Sequence, residues 1–244
     1  MKPNALIWTM LLVLARVAVA TPPRPDLKLS VPFKGPTALA VLDARPDVVN
    51  GRRKETFIGF TRTFYGLPLP YHTRSKKPFA QDLSALVSQA LTLGETPAKA
   101  IVVSPPAGRQ AAIDALRKSG AERLILLEIR DWWSDTMLRT DLHYDLLLTV
   151  LDAQGRELGS SSAKGDDGLG GHGTNQQRTI DAATRRILES LFTDQAVSAA
   201  FGADAAPAAK AARCTVEQVL KMKEAGLAQD QIEAACGGVS GKLQ

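Results

Sequence analysis

The sequence predicts an α/β protein, in which helices pack on a mixed sheet that contains an antiparallel meander, with a small helical hairpin at the C-terminal end. Between residues 37 and 129, apolar strand-like segments alternate with segments of helical periodicity, an order typical of α/β layers. From residue 124 to 165, apolar and polar residues alternate with a period of two, interrupted by short polar links. That alternation is typical of antiparallel strands with one dry and one wet face.

The first twenty residues, "MKPNALIWTMLLVLARVAVA", predict a secretory signal peptide that is cleaved after Ala20. Lys2 precedes an apolar run that Arg16 closes after about eleven residues, whereas a membrane-spanning helix needs roughly twenty. No cysteine follows the run, so lipid attachment is not expected. We therefore expect a soluble, periplasmic mature chain.

Charge argues against nucleic acid as the partner. Removing residues 1–20 lowers the formal net charge from +5 to +3, which is too weak a bias for nucleic-acid binding. The dense basic segments, 51–55 and 73–77, are interpreted as solvated loops. The alternative is peripheral contact with acidic lipid headgroups or the cell wall, through Arg52, Arg53, Lys54, Lys76 and Lys77.

The first half of the domain is predicted as follows. Residues 21–36 are rich in proline and predict an extended lead-in. "TALAVLDARPD" predicts a buried strand that Pro46 ends, and an irregular strand or hairpin follows it. Helical spacing of apolar residues from Pro78 predicts a helix that Gly94 ends.

The second half continues the alternation. "AIVVS" at 100–104 predicts a strand, 107–120 a helix, and "AERLILLEI" the start of a longer strand. "RELGSSSAKG" predicts the third strand of the meander and 165–173 a glycine-rich loop. A last helix, "QQRTIDAATRRILESLF", is expected to pack on the sheet.

The stretch "EIRDWWSDTMLRTDLHYD", residues 128–145, has the composition of an active site but predicts a β-hairpin. Strict alternation places Trp133 with the core and Trp132 on the wet face, where the carboxylates also lie. An exposed tryptophan is a common binding anchor. The candidate interaction surface is therefore Glu128, Arg130, Trp132, Asp141, His143 and Asp145.

Beyond the α/β domain, assigned to 37–194, an Ala-rich linker is predicted over 195–213 and a helical hairpin over 214–237. Cys214 and Cys236 bracket the hairpin, and in an exported protein a disulfide between them is expected to stabilise it by roughly 3 kcal/mol. A redox pair or metal ligands are the alternatives, although the spacing and neighbours favour neither.

Catalytic patterns are weak. Asp141 and Asp145 flank His143 on one surface, whereas a glycosidase needs carboxylates that face each other across a cleft. The three histidines lie far apart in sequence, and the glycine-rich segment lacks a phosphate-binding signature. No catalytic residue, metal or cofactor is assigned.

At "LLEIRDWWSDT", "HYDLLLTVLDAQGREL", "KGDDGLGG" and "AVLDARPD", the chain resembles YajG-like envelope lipoproteins and, more loosely, the TolB N-terminal type of α/β module. The resemblance covers roughly residues 36–193 and implies an envelope protein with no established catalytic residues. The chain departs from that family in lacking the lipid-attachment cysteine and in carrying the cysteine-bracketed tail.

Two functions follow as hypotheses. The first is a non-enzymatic periplasmic interaction or scaffold protein that binds an envelope protein partner through the wet hairpin face. The second is a periplasmic enzyme or small-ligand binder that uses a cleft near the glycine-rich loop 165–173. Convergence of Asp131, Asp135, His143 and His172 in a concave pocket would favour the second hypothesis, and a flat ladder of charges the first.

Overall fold

The computed structural model describes residues 27–170 and 175–203. The predicted signal peptide, most of the Ala-rich linker and the hairpin with Cys214 and Cys236 lie outside these residues. No helix in the described ranges is long and apolar enough to cross a bilayer. The strands are β1 (Thr37–Asp43), β2 (Phe57–Arg62), β3 (Pro68–His72), β4 (Ala98–Ile101), β5 (Arg123–Thr136), β6 (Thr140–Asp152) and β7 (Glu157–Gly170). The helices are α1 (Pro46–Val49), α2 (Phe79–Leu93), α3 (Gly108–Arg117), α4 (Gln176–Thr193) and α5 (Gln195–Gly202).

The fold class is confirmed: the strands form one mixed sheet, and β5 lies at its centre. The first half of β5 pairs in parallel with β1, from Thr37↔Arg123 to Asp43↔Ile129, and β1 pairs with β4. The second half pairs in parallel with β2, from Gly59↔Ser134 to Thr61↔Thr136, and β2 pairs with β3. The other side of β5 carries the antiparallel meander of β6 and β7.

Helices cover the two faces of this sheet unequally. On one face α2, α4 and α5 contribute to the main core, which includes Leu83, Ile187 and Phe201. On the other face α3 covers a smaller cluster through Ala112 and Leu116. We call residues 123–129 of β5 the proximal half and residues 130–136 the distal half. Apolar residues of both faces are buried in the proximal half, since α3 packs against Leu124 and Leu126.

The predicted extended lead-in contributes to the core. Residues 27–36 form no helix or strand, yet Leu27, Leu29 and Val31 are buried in the main cluster. The Leu29 N–H donates to the carbonyl of Ala90 at 3.0 Å, which fixes this segment against the end of α2.

The Ala-rich linker predicted from residue 195 was expected to be partly helical, and its first eight residues, Gln195–Gly202, form α5. The Asp194 side chain caps this helix by accepting from Ala196 N at 2.8 Å, and Val197, Ala200 and Phe201 are buried. Asp is a preferred N-cap, and an apolar face at helical spacing packs even where most of its residues are alanine.

The glycine-rich loop is also wrong as far as residue 170, because β7 continues to Gly170. Cross-strand pairing explains the difference. His143 lies opposite Asp166 and Tyr144 opposite Gly165, so the long β6 supplies hydrogen-bonding partners along this segment. The Tyr144 hydroxyl lies 2.6 Å from where a Cβ on residue 165 would stand, so glycine at that position lets the tyrosine ring lie against the backbone of β7.

Candidate interaction surface

Beyond α3, the sheet face that α3 covers becomes open to solvent. We call this surface the open face and define it by residues of β5, β6 and β7 whose side chains share it: Trp133, Asp135, Asp141, His143, Asp145, Lys164 and Asp166. These side chains are exposed or half-buried. The open face is the wet face that alternation predicts for the hairpin.

A β-bulge in β5 decides which tryptophan lies on the open face. The pairing with β6 shifts between Ile129 and Asp131, so Arg130 is an extra residue, and both Arg130 and Asp131 are exposed. An extra residue reverses the alternation that follows it. Trp132 is therefore 1% exposed and packs on Phe79, with the ring centroids 5.1 Å apart, and the predicted exposure of Trp132 is wrong. Trp133, predicted as core, lies on the open face.

Trp133 and His143 form the centre of the open face. Their rings are stacked, with centroids 3.8 Å apart and planes inclined by 11°. His143 Nδ1 also forms a hydrogen bond with a carboxylate oxygen of Asp166 on β7. Because three adjacent strands hold these side chains, the aromatic pair is fixed in position before any partner binds.

Most carboxylates of the open face form ion pairs. Asp135 accepts from Arg62 of β2 at 2.8 Å, and this hydrogen bond, with the charge of the carboxylate, raises the pKa of Arg62. The carboxylate of Asp145 lies 3.5 Å from the ammonium of Lys164. Asp141 lies 3.1 Å from Arg139. The result is a ladder of paired charges along a sheet surface.

Glu128 does not belong to this exposed ladder, although the sequence placed it there. The side chain is 7% exposed and forms an ion pair with Arg109 of α3. Arg109 also donates to Thr149 at 3.3 Å. Glu128 precedes the bulge, so its side chain points toward α3 and is covered by that helix. Arg130, at the bulge, is exposed as predicted.

The residues proposed for a concave pocket do not all converge. Asp135 and His143 line a shallow depression of about 440 Å³, together with Met137 and Leu138. Asp131 lines a different cleft, of about 490 Å³, beside Arg45. His172 lies outside the described residues. In the described ranges, no group of three or more His, Cys, Asp or Glu side chains has the geometry to hold a metal ion.

The cleft required by the small-ligand hypothesis lies between the end of β7 and α4. It measures about 620 Å³ and is lined by 166–169 of β7 and by α4 residues that include Arg178 and Arg186. Arg186 donates to Asp167 at 3.1 Å across this cleft. The Tyr144 hydroxyl also donates to Asp167, and burial, with the charge of that carboxylate, raises the pKa of Tyr144.

Two apolar turns were missed by the sequence analysis. The β2–β3 turn carries Phe64, which is 91% exposed, and Tyr65, which is 87% exposed. Leu138 in the β5–β6 turn is 78% exposed. We call these turns, residues 63–67 and 137–139, the distal tips. The signal for them was the presence of large apolar residues in "TFYGL" and "TMLRT", where turns ordinarily carry small polar residues.

The distal tips lie at the same end of the sheet. β2 and β5 run in parallel and pair as far as Thr61↔Thr136, so both turns leave the sheet in the same direction just beyond that pair. Arg62 connects them, because its guanidinium binds Asp135 and also donates to the carbonyl of Gly66 at 3.2 Å. The distal tips therefore adjoin the open face.

The two basic segments also meet, but at the base of the β2–β3 hairpin. Thr73 N donates to Thr56 O at 2.8 Å, which brings the two loops together. Arg52 pairs with Asp47 at 2.9 Å, and the Arg53 guanidinium lies over the Phe57 ring at 4.7 Å from its centroid. These two arginines thus serve local structure.

No family model matches the sequence, and no curated protein matches it. Solved structures show partial similarity. A Xanthomonas campestris protein of the DUF330 family is 14% identical, with a TM-score of 0.39, over 70% of this chain and 85% of that one. PelC from Paraburkholderia phytofirmans, a dodecamer, is 12% identical, with a TM-score of 0.37, over 70% and 94%. Lipoprotein GNA1162 from Neisseria meningitidis is 16% identical, with a TM-score of 0.33, over 64% and 99%.

Identities this low carry no function from one protein to another. One of these three proteins is named a lipoprotein. None of the three carries the YajG or TolB name, and the resemblance to those families stays a prediction.

Proposed function

We propose that this protein is a non-enzymatic interaction protein of the bacterial cell envelope, which binds another envelope protein through the open face and the distal tips. The observation that carries the proposal is the exposure of Phe64, Tyr65 and Leu138 at the end of the sheet where Trp133 stacks on His143. Contiguous exposed apolar side chains mark interaction sites in soluble proteins.

The residue types at this end fit a protein partner. Aromatic residues and arginine are enriched at protein–protein interfaces, where a few of them contribute most of the binding energy. Phe64 and Tyr65 contact each other edge to face, with ring centroids 5.6 Å apart, and Arg62 and Arg139 line the depression that also contains Leu138. Apolar tips surrounded by paired charges have the arrangement of an interface core with a polar rim.

The charges of the open face favour recognition over catalysis. A general acid or base needs a shifted pKa and access to substrate, usually in a concave site. Asp135, Asp141 and Asp145 instead each face a basic side chain on an exposed surface. Such pairs add little affinity but favour one partner and one orientation over others.

Two further parts of the proposal rest on the sequence: the periplasmic location of the protein, and a second contact with the partner through the predicted C-terminal hairpin. The predicted signal peptide, cleaved after Ala20, supports a periplasmic address, and the hairpin with Cys214 and Cys236 supports an additional contact. If the hairpin binds, replacing both cysteines by serine weakens partner capture while the α/β domain stays folded.

In-cell photo-crosslinking tests the proposal. A photoreactive residue is placed at Tyr65 or Leu138, and at Val102 as the matched control, since Val102 is apolar and 77% exposed but follows β4 at the other side of the sheet. We expect one defined envelope protein to be captured from the two distal positions and not from Val102. Capture of nothing, or of the same proteins from all three positions, would count against the proposal and direct attention to the cleft between β7 and α4.

A further inference from the structure

In the part of the chain that the structure describes, β3, β4 and β7 are the edge strands of the sheet, and they are protected to different degrees. β3 carries Pro68 and Pro70, which cannot donate to an added strand, and β4 has four residues. β7 has fourteen residues, contains no proline, and none of its residues is buried. Long edge strands without such protection are templates for pairing with another chain.

The outer edge of β7 is suited to accept a strand. In an antiparallel pair, every second residue directs both its N–H and its C=O away from the partner. Among the described residues, no backbone group pairs with β7 on the side opposite β6. Register with β6 is unbroken by bulges from 159 to 168, and small residues dominate this run, so a second backbone can approach.

We propose that β7 pairs with β7 of a second copy, antiparallel, about a two-fold axis perpendicular to the sheet. Such an axis places the open faces of the two copies on the same side of the joined sheet. Two residues that lie directly opposite each other across the axis therefore have their side chains on the same face. An odd-numbered residue of one copy therefore lies opposite an odd-numbered residue of the other copy, and an even-numbered residue lies opposite an even-numbered one. The axis consequently passes between the two copies of a single residue. Lys164 and Asp166, both on the open face, have side chains 78% and 77% exposed.

Charge selects the position of the axis. With the axis at Gly165, Lys164 of each copy lies opposite Asp166 of the other, which gives two equivalent attractive pairs. An axis at Lys164 would place the two Lys164 side chains directly opposite each other, and an axis at Asp166 would do the same to the two Asp166 side chains. Like charges directly opposite each other are destabilising. An axis at Ala163 or Asp167 leaves Lys164 opposite Ser162 or Gly170. Of these positions, Gly165 alone is complementary.

The existing ion pairs allow this arrangement. Lys164 lies 3.5 Å from Asp145, a loose contact that a second carboxylate can share. Asp166 contacts His143 through one oxygen, which leaves its other oxygen for Lys164 of the second copy. The paired strands would continue the open face across both copies, so that the same side of the dimer presents two open faces.

Sedimentation velocity on the mature full-length chain tests the proposal through a charge swap. Lys164→Asp and Asp166→Lys are each expected to weaken dimerisation by about tenfold, because each turns two attractive pairs into repulsive ones. The double variant Lys164→Asp/Asp166→Lys restores the attractive pairs and is expected to dimerise like the wild type. Lys34→Asp is the matched control, since Lys34 also pairs with an exposed acid, Glu95, away from β7.

A chain that stays monomeric at all accessible concentrations would overturn the proposal, even if hydrogen exchange finds β7 protected by another segment of the same chain. Dimerisation that neither single charge reversal weakens would overturn the proposal as well. So would a double variant that does not dimerise like the wild type. Crosslinking from Tyr65 and Leu138 reports on the distal tips, so either proposal can fail without the other.

Discussion

The proximal and distal halves of β5 pair with the same strand, β6, but differ in what covers them. In the proximal half, Leu124, Ile125, Leu126 and Leu127 are all 0% exposed, because helices pack on both faces. In the distal half, Arg130 and Asp131 are exposed, and none of its residues belongs to the cluster that α3 covers. α3 has 10 residues and spans about 15 Å, whereas the 14 residues of β5 span about 45 Å.

This difference separates stability from recognition along one hairpin. The proximal half lies in both hydrophobic clusters and should supply much of the free energy of unfolding. The distal half contributes one face to the core and presents the other to solvent, beside the distal tips. Substitutions in the two halves should therefore have different effects on the free energy of unfolding.

The largest effect is expected at the junction of the halves, where Asp43 and Arg45 form a buried ion pair at 2.7 Å. Arg45 also donates to the carbonyls of Phe57 at 2.6 Å and Trp132 at 3.2 Å, which ties the end of β1 to the distal half. Asp43→Ala leaves the guanidinium buried without its counter-charge and should cost about 3–5 kcal/mol in urea unfolding. The double variant Asp43→Leu/Arg45→Met should cost less than Asp43→Ala, and a greater cost would contradict this interpretation of the pair.

The two tryptophans test the bulge. Trp132→Ala removes a side chain that is 1% exposed and should lower the free energy of unfolding by about 3–5 kcal/mol. Trp133→Ala removes a half-buried side chain stacked on His143 and should cost about 1 kcal/mol. Equal losses in the unfolding free energy, or a larger loss for Trp133, would mean that β5 has no bulge at Arg130.

These tryptophans also show how far the sequence predicts this molecule. Long periodic segments such as α2, which ends before Gly94 as expected, and the alternating hairpin were predictable from local pattern. The bulge was not, because a single extra residue leaves no signal in the alternation until the buried face is known. The same limit applied to β7, whose glycines are typical of loops but pair along β6, and to the distal tips, which only the parallel pairing of β2 with β5 brings together.

An acid-dependent effect is expected at Asp152, where β6 ends beside the proximal half. Burial alone would raise the pKa of Asp152, but hydrogen bonds from Arg156 and from Gln154 N outweigh it and lower the pKa below 3.8. The ionised carboxylate therefore stabilises the fold above its ordinary pKa, and this contribution is lost as the pH falls through the lower pKa of the folded state.

We expect Asp152→Asn to cost about 1.5 kcal/mol at neutral pH, with the difference from the wild type shrinking as the pH falls below about 4 and vanishing only below the lowered pKa of the folded state. Urea unfolding across this pH range measures it. Asp114→Asn is the control, because Asp114 is 45% exposed and pairs with Arg117 at 3.6 Å. A cost for Asp152→Asn that persists at low pH would show that lost packing, not lost charge, explains it.

The smallest effect on stability is expected on the open face. Asp145→Asn removes one member of an exposed pair and should change the free energy of unfolding by no more than about 0.5 kcal/mol. Thermal unfolding of this variant beside Leu127→Ala, expected to lose about 2–5 kcal/mol, gives the comparison directly. Similar losses of stability for the two variants would contradict the proposed difference in stability between the proximal and distal halves.

Partner capture by a Tyr65→Ser/Leu138→Ser variant, with its unfolding free energy determined on the same preparation, tests whether the distal tips bind the partner. Both side chains are exposed, so the substitutions leave the core unchanged. We expect capture of the envelope protein by a crosslinker placed at His143 to fall at least tenfold in this variant, while the unfolding free energy stays within about 1 kcal/mol of the wild type. Undiminished capture by this folded variant would contradict the assignment of the distal end as the contact surface.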